Sequence, residues 1–157
     1  MENKKVIIEN MVNSRVGIDI PELRLTRVWE RKGAKKPIEF DILKEAIYNE
    51  GVDYMFRNGI LYIDDMDVKI ALGLEEADAP AQIKVLKDAD CEELWNKATL
   101  KVFKETLEEY PKEQLQVLAD YAVAHKILNL DKSNALRKKI GYDVVKVIQL
   151  GDSGEEK

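Results

Sequence analysis

The stretch Arg27-Val28-Trp29-Glu30-Arg31-Lys32-Gly33-Ala34-Lys35-Lys36, RVWERKGAKK, crowds cations and a tryptophan around one glycine. The chain that carries it has 157 residues and a formal charge of −5. The stretch reads either as a surface that grips phosphate or as the solvated end of a hairpin. Just upstream, Leu23, Leu25, Arg27 and Trp29 alternate with Arg24, Thr26, Val28 and Glu30. Alternation with period two predicts a strand with one face buried and the other wet. Gly33 supplies the positive φ of a tight turn, and Pro37-Ile38-Glu39-Phe40 resumes an extended chain. The segment therefore predicts a basic hairpin around Gly33, with the fold built outward from it.

Toward the amino terminus, Val6-Ile7-Ile8 and Val16 to Ile20 are short β-branched runs, and Pro21 interrupts any continuous ladder because it has no amide proton. Toward the carboxyl terminus the punctuation turns helical. Asp41 is expected to cap a helix over 42–50, closed by Gly51, with Ile42, Leu43, Ala46 and Ile47 on one face. A second short helix over 52–57 leads through the Asn58-Gly59 turn into a strand over 60–63. Asp64 or Asp65 caps a further helix to Leu72, ended by Gly73. Residues 77–81, with Pro80, read as a linker, and Ile83 to Leu86 as a last strand.

From about Asp88 the pattern is helical throughout. Acidic residues open a helix over 91–97, and Thr99 caps the next, in which Leu100, Phe103, Leu107 and Tyr110 recur at helical spacing. Pro111 opens a longer helix to about Leu128. Asp131 is expected to cap a basic helix to Lys139, and Asp143 a helix over 144–150. Short connections predict antiparallel neighbours. The fold class is thus α+β. A mixed strand and helix amino-terminal part (1–87) precedes a small antiparallel helical bundle (88–150) and a disordered tail (151–157).

Composition narrows the class of function. With 45% hydrophobic and 35% charged residues, the chain has material for a core and a wet outside. Apolar runs such as Ile60-Leu61-Tyr62-Ile63 fall far short of the roughly twenty residues that span a bilayer, so no membrane is expected. The start, MENKKVIIEN, has neither the apolar stretch nor the cleavage site of a secretory signal. Cys91 is the only cysteine, which fits a reducing, cytoplasmic setting. The negative net charge disfavours a general nucleic-acid coat.

Legible catalytic machinery is absent. Gly151-Asp152-Ser153-Gly154 mimics the tetrad around a protease nucleophile, but a polar terminal run lacks the oriented histidine and the oxyanion hole that the chemistry requires. The lone Cys91 and the lone His125 read as a packing thiol and a helix-surface imidazole rather than a dyad. Asp64, Asp65 and Asp67 lack the ligand pattern of a calcium loop and read as helix caps. No phosphate loop or dinucleotide fingerprint occurs. The chain is accordingly expected not to be an enzyme and to hold no cofactor and no metal.

Charge distribution carries the functional reading. Arg24, Arg27, Arg31, Lys32, Lys35 and Lys36 fall within thirteen residues opposed only by Glu30, whereas residues 64–93 hold ten acids against three lysines. Opposed patches of this type suit a meeting with another copy or another protein. Arg24, Arg27, Trp29, Arg31, Lys32, Lys35 and Lys36 are therefore expected to form a partner-binding surface. The leading expectation is a non-enzymatic interaction or assembly component that self-associates. The alternative is a nucleic-acid-binding accessory factor using the basic hairpin around Gly33, since cations beside a tryptophan can follow a phosphate backbone. The helix–turn–helix–strand succession over 41–63 adds a winged-helix flavour. Its reading segment, 52–58, has only Arg57 as a cation, and reading bases needs several polar side chains.

The run Ile20-Pro21-Glu22-Leu23-Arg24-Leu25-Thr26-Arg27-Val28-Trp29, with Leu61 to Met66 and Ala71-Leu72-Gly73-Leu74, resembles small proteins of tailed-phage or prophage type. Leu118 to Ala122 and Gly141 to Val145 are similar to their carboxyl-terminal halves. The resemblance implies a virion-associated structural or assembly role, in the host cytoplasm or the virion, and brings no catalytic residues.

Overall fold

Strand β1 (Lys5–Asn10) alternates exposed and buried side chains, and it is the middle of a three-stranded antiparallel sheet ordered β4-β1-β5. Its neighbours are β4 (Lys35–Glu39) and the two-residue β5 (Leu61–Tyr62). β2 (Val16–Ile20) and β3 (Leu25–Trp29) form a separate antiparallel pair, with Val16 opposite Trp29 and Ile20 opposite Leu25. The computed structural model describes residues 4–79 and 83–155, with side chains described to Gly151. The chain divides into two compact units, Met1–Val85 and Leu86–Lys157. Strands come first and a helical region follows, so the fold is α+β.

The expected hairpin around Gly33 is not one. β3 pairs with β2 and β4 with β1, so the basic segment links two sheets instead of closing one ladder. Trp29 supplies the physical reason. Its ring is fully buried and its indole N–H donates to the Ile8 carbonyl at 2.9 Å, which draws β3 onto β1 by a side chain. The turn itself is tight. The Ala34 N–H donates to the Arg31 carbonyl at 3.1 Å, and Gly33 at its third position has φ +87°, a value that favours glycine. Fully buried Asn10 clamps this turn, its N–H donating to the Ala34 carbonyl and its carbonyl accepting from Gly33 N–H. The Asn10 side chain organises the next loop, accepting from Val12 N–H and donating to the Ser14 carbonyl.

Three helices complete the first unit. The two helices expected over 42–50 and 52–57 are present with shifted bounds: α1 runs Phe40–Ala46, and α2 runs Glu50–Arg57. Asn49 makes the break, because its Oδ1 accepts from the Gly51 and Val52 amides and starts a new helix. Gly51 lies in the first turn of α2 rather than closing α1. Helix α3 (Met66–Ala71) is capped by Asp65, as expected, and Gly73 follows it with φ +76°. Ile8, Leu25, Trp29, Ile38, Leu43 and Phe56 belong to one apolar cluster in this unit. Residues 83–86 form no strand: Glu75 accepts from the Ile83 amide, so a side chain takes a donor that a ladder would use. Part of the expected linker, 80–82, lies outside the described residues.

The second unit is a bundle of α4 (Asp88–Asn96), α5 (Leu100–Leu107), α6 (Lys112–Ala124), α7 (Leu130–Ile140) and α8 (Val144–Glu155). Thr99 caps α5 and Asp143 serves α8, both as expected. Asn129, not Asp131, caps α7 by accepting from Lys132 N–H. Helix α8 continues through residues 151–155 of the expected disordered tail, since neither proline nor a left-handed cap stops it, and residues 156–157 lie outside the described residues. Trp95 packs on Phe103 with ring centroids 5.0 Å apart, and its indole N–H donates to the Leu118 carbonyl at 2.9 Å. Beside this pair, buried Lys132 donates to the carbonyls of Leu94, Trp95 and Ala98 at 2.6, 3.0 and 2.6 Å. Leu94 and Trp95 are orphan acceptors in the last turn of α4, with Ala98 just beyond it, and there a cation also meets the helix dipole. Burial pushes the Lys132 pKa down, while three acceptors match the three donors of an ammonium.

Candidate functional site

The sequence points first to the segment from Arg24 to Lys36, and the structure distributes those residues among different tasks. Trp29 is the main correction. It was expected at a contact surface and instead has none of its surface exposed, because its bicyclic ring fills the space between β3 and β1 while its one donor is satisfied internally. Arg27 is half-buried. Its Nε donates to the Pro37 carbonyl at 3.2 Å and its Nη1 to the Thr26 carbonyl, so it ties β3 to the strand beyond the turn. Lys35 lies opposite Glu9 in the β1–β4 register, with their charges 3.8 Å apart. Lys5 stands opposite Glu39 four pairs further on, so opposite charges bracket the Ile7–Pro37 pair. Lys32 is half-buried and has an interaction of its own.

That leaves Arg24, Arg31 and Lys36, which are exposed and meet no carboxylate within ion-pair distance among the described residues. Arg24 follows the 3₁₀ turn Pro21–Leu23 with a left-handed backbone at φ +52°, before β3 begins. Arg31 lies after β3 ends. A five-residue strand at about 3.3 Å per residue separates them by roughly 17 Å or more. The basic segment is thus divided into a satisfied inner part and a few spread outer cations.

Part of the acidic stretch is similarly committed. Asp65 both caps α3 and pairs with Lys4 at 2.7 Å; these contacts, the Lys4 hydrogen bond above all, hold its carboxyl below the usual aspartate value. Glu75 is buried on the Ile83 amide. The one cation of the candidate reading helix, Arg57, is held by both oxygens of Asp53 and also donates to the Gly73 carbonyl. Cys91 is buried, and His125 ends α6 with its ring 4.1 Å from the Tyr121 ring. Among the described residues, no group of three or more histidine, cysteine, aspartate or glutamate side chains could hold a metal ion. No helix among them is long and apolar enough to cross a membrane.

A different surface gathers the features of a binding site. Between α5 and α7 lies a cleft of about 620 Å³, open to solvent. The two helices run in the same direction. Lys132 lies 5.5 Å from the Phe103 ring in the amino-terminal half of each, and Lys139 pairs with Glu108 at the far end. Buried Leu107 and Ala135, with half-buried Leu100, form an apolar floor. Lys104 on α5 and Lys138 on α7 stand exposed on the rim and pair with no carboxylate among the described residues. Glu108 and Asp131 are the acids of the same rim, the former engaged by Lys139.

The sequence held part of this signal, a basic helix over 131–139. It did not say that α5 would lie alongside, because that neighbour is set by the packing of Trp95, Phe103 and Lys132 rather than by any local motif. No protein-family model, curated protein or solved structure matches the chain.

Proposed function

We propose that this protein is a non-enzymatic interaction component that docks a protein segment in the cleft between α5 and α7. The observation that carries the reading is the pairing of an apolar floor, Leu100, Leu107 and Ala135, with two unpaired rim lysines, Lys104 and Lys138. An apolar centre with a charged rim is the usual anatomy of a protein contact, where the floor supplies affinity and the rim supplies orientation. The partner that suits it is acidic. The resemblance to tailed-phage proteins agrees with an assembly role of this type, in the host cytoplasm or on a virion.

Sedimentation velocity at low and high salt tests the reading. Wild type is expected to associate at low salt and to lose that association as salt screens the rim. Lys104→Glu with Lys138→Glu should abolish it, whereas Lys35→Ala should not. Equal behaviour of the two variants would place the contact elsewhere.

A second reading, a nucleic-acid-binding accessory factor, rests on unpaired Arg24, Arg31 and Lys36. It predicts salt-dependent binding to single-stranded or duplex DNA or RNA that these substitutions weaken. The cleft favours protein over phosphate, because its floor of Leu100, Leu107 and Ala135 offers apolar contact that a phosphate backbone does not use.

A further inference from the structure

We propose that the occupant of the α5–α7 cleft is the acidic outer stripe of helix α4 from a second copy of this chain, so that copies associate head to tail. This rests on the interaction reading above and names the partner. On α4, Ala89, Glu92, Glu93 and Asn96 are all exposed, and their spacing of three, four and seven residues puts them on one line along the helix. Glu92 and Glu93 pair with no cation among the described residues. Two acids on one stripe face two unpaired lysines on one rim, and the small side chain of Ala89 lets a helix approach the floor closely.

The field around α4 is negative. Burial, followed by the charges of Glu92 and Asp88, raises the pKa of the Tyr121 phenol; burial, followed by Asp90 and Glu109, raises that of Tyr110. The stripe is also rigid. Cys91, Leu94 and Trp95 bury the opposite side of α4, and the Lys132 ammonium grips its carboxyl end. A preformed surface loses little freedom on docking, which lowers the cost of association. The cleft and the stripe are different patches, and the stripe is open to water in its own chain. Contact between them is therefore heterologous and makes rings or open chains rather than a two-fold dimer.

Charge reversal on each side separates the outcomes. The cleft variant is Lys104→Glu with Lys138→Glu; the stripe variant is Glu92→Lys with Glu93→Lys. All four positions are exposed or on a rim, and circular dichroism confirms that each variant folds. In light scattering at low salt, wild type should exceed the mass of a dimer as concentration rises. Each variant alone should associate about tenfold or more weakly, and an equimolar mixture should regain association, because each reversed surface then meets its complement. Variants that associate like wild type, or a mixture that stays monomeric, overturn the proposal. A fluorescein-labelled amphipathic glutamate–leucine peptide separates this failure from failure of the broader reading. If wild type is monomeric but binds the peptide and the cleft variant does not, the second copy is excluded while the cleft remains a docking site. If neither association nor peptide binding occurs, both ideas fall.

Discussion

The indole N–H of Trp29 donates to the main-chain carbonyl of Ile8 at 2.9 Å, with the ring wholly removed from water. This bond joins two sheets that share no backbone ladder. It also decides what the basic segment is for, because a tryptophan used as a buried strut is not available to stack on a base or a partner. Removing it should therefore affect stability rather than recognition. Trp29→Phe keeps most of the apolar volume and loses the donor, at a cost of about 1 kcal/mol. Trp29→Ala also opens a cavity and should cost about 3–5 kcal/mol. Urea denaturation measures both.

Lys132 makes the second such strut. Lys132→Met leaves the Leu94, Trp95 and Ala98 carbonyls without their donor and should destabilise by about 1–3 kcal/mol. Lys132→Arg should not restore stability, because a planar fork cannot converge on three acceptors as an ammonium does. An arginine variant as stable as wild type would contradict the convergent geometry.

Asp65 gives a pH dependence with a definite sign. Its carboxyl is held below the ordinary aspartate value by Lys4 and the α3 amides, so the folded chain binds fewer protons than the unfolded one in that range. Its contribution is present above the ordinary aspartate pKa and is lost as pH falls through the depressed value. The melting-temperature difference between wild type and Asp65→Ala should shrink on acidification. A difference constant from neutral pH down to strongly acid pH would be inconsistent with this linkage.

Gly33→Ala isolates a backbone cost. A Cβ at Gly33 would meet nothing within 4 Å, so the penalty comes from its φ of +87° alone, about 1–2 kcal/mol. By contrast, the exposed Lys35–Glu9 pair should show a coupling of only about 0.2–1 kcal/mol in a double-mutant cycle, falling with salt.

The fold class was legible because alternation and caps are local. Leu25 to Trp29, the Asp65, Thr99 and Asp143 caps and the Asn58-Gly59 turn all act within a few residues. What escaped depends on distant partners. Nothing near Trp29 reveals that its indole will find Ile8, and nothing near Ile83 reveals that Glu75 will take its amide. The candidate surface is divided for the same reason. Charge density in sequence treats Arg27, Lys35 and Lys36 alike, while the structure gives Arg27 to Pro37, Lys35 to Glu9 and leaves Lys36 outside. The α5–α7 cleft brings together residues more than twenty positions apart, beyond the reach of any spacing rule.

Backbone amide shifts of isotope-labelled protein, followed by NMR through a dilution series at low salt, test the central claim most directly. The account predicts concentration-dependent shifts along the cleft, at Lys104, Leu107, Ala135 and Lys138, together with Glu92 and Glu93 on α4, while Arg24 to Lys36 stays still. Shifts confined to Arg24 to Lys36, or none across the series, would contradict it.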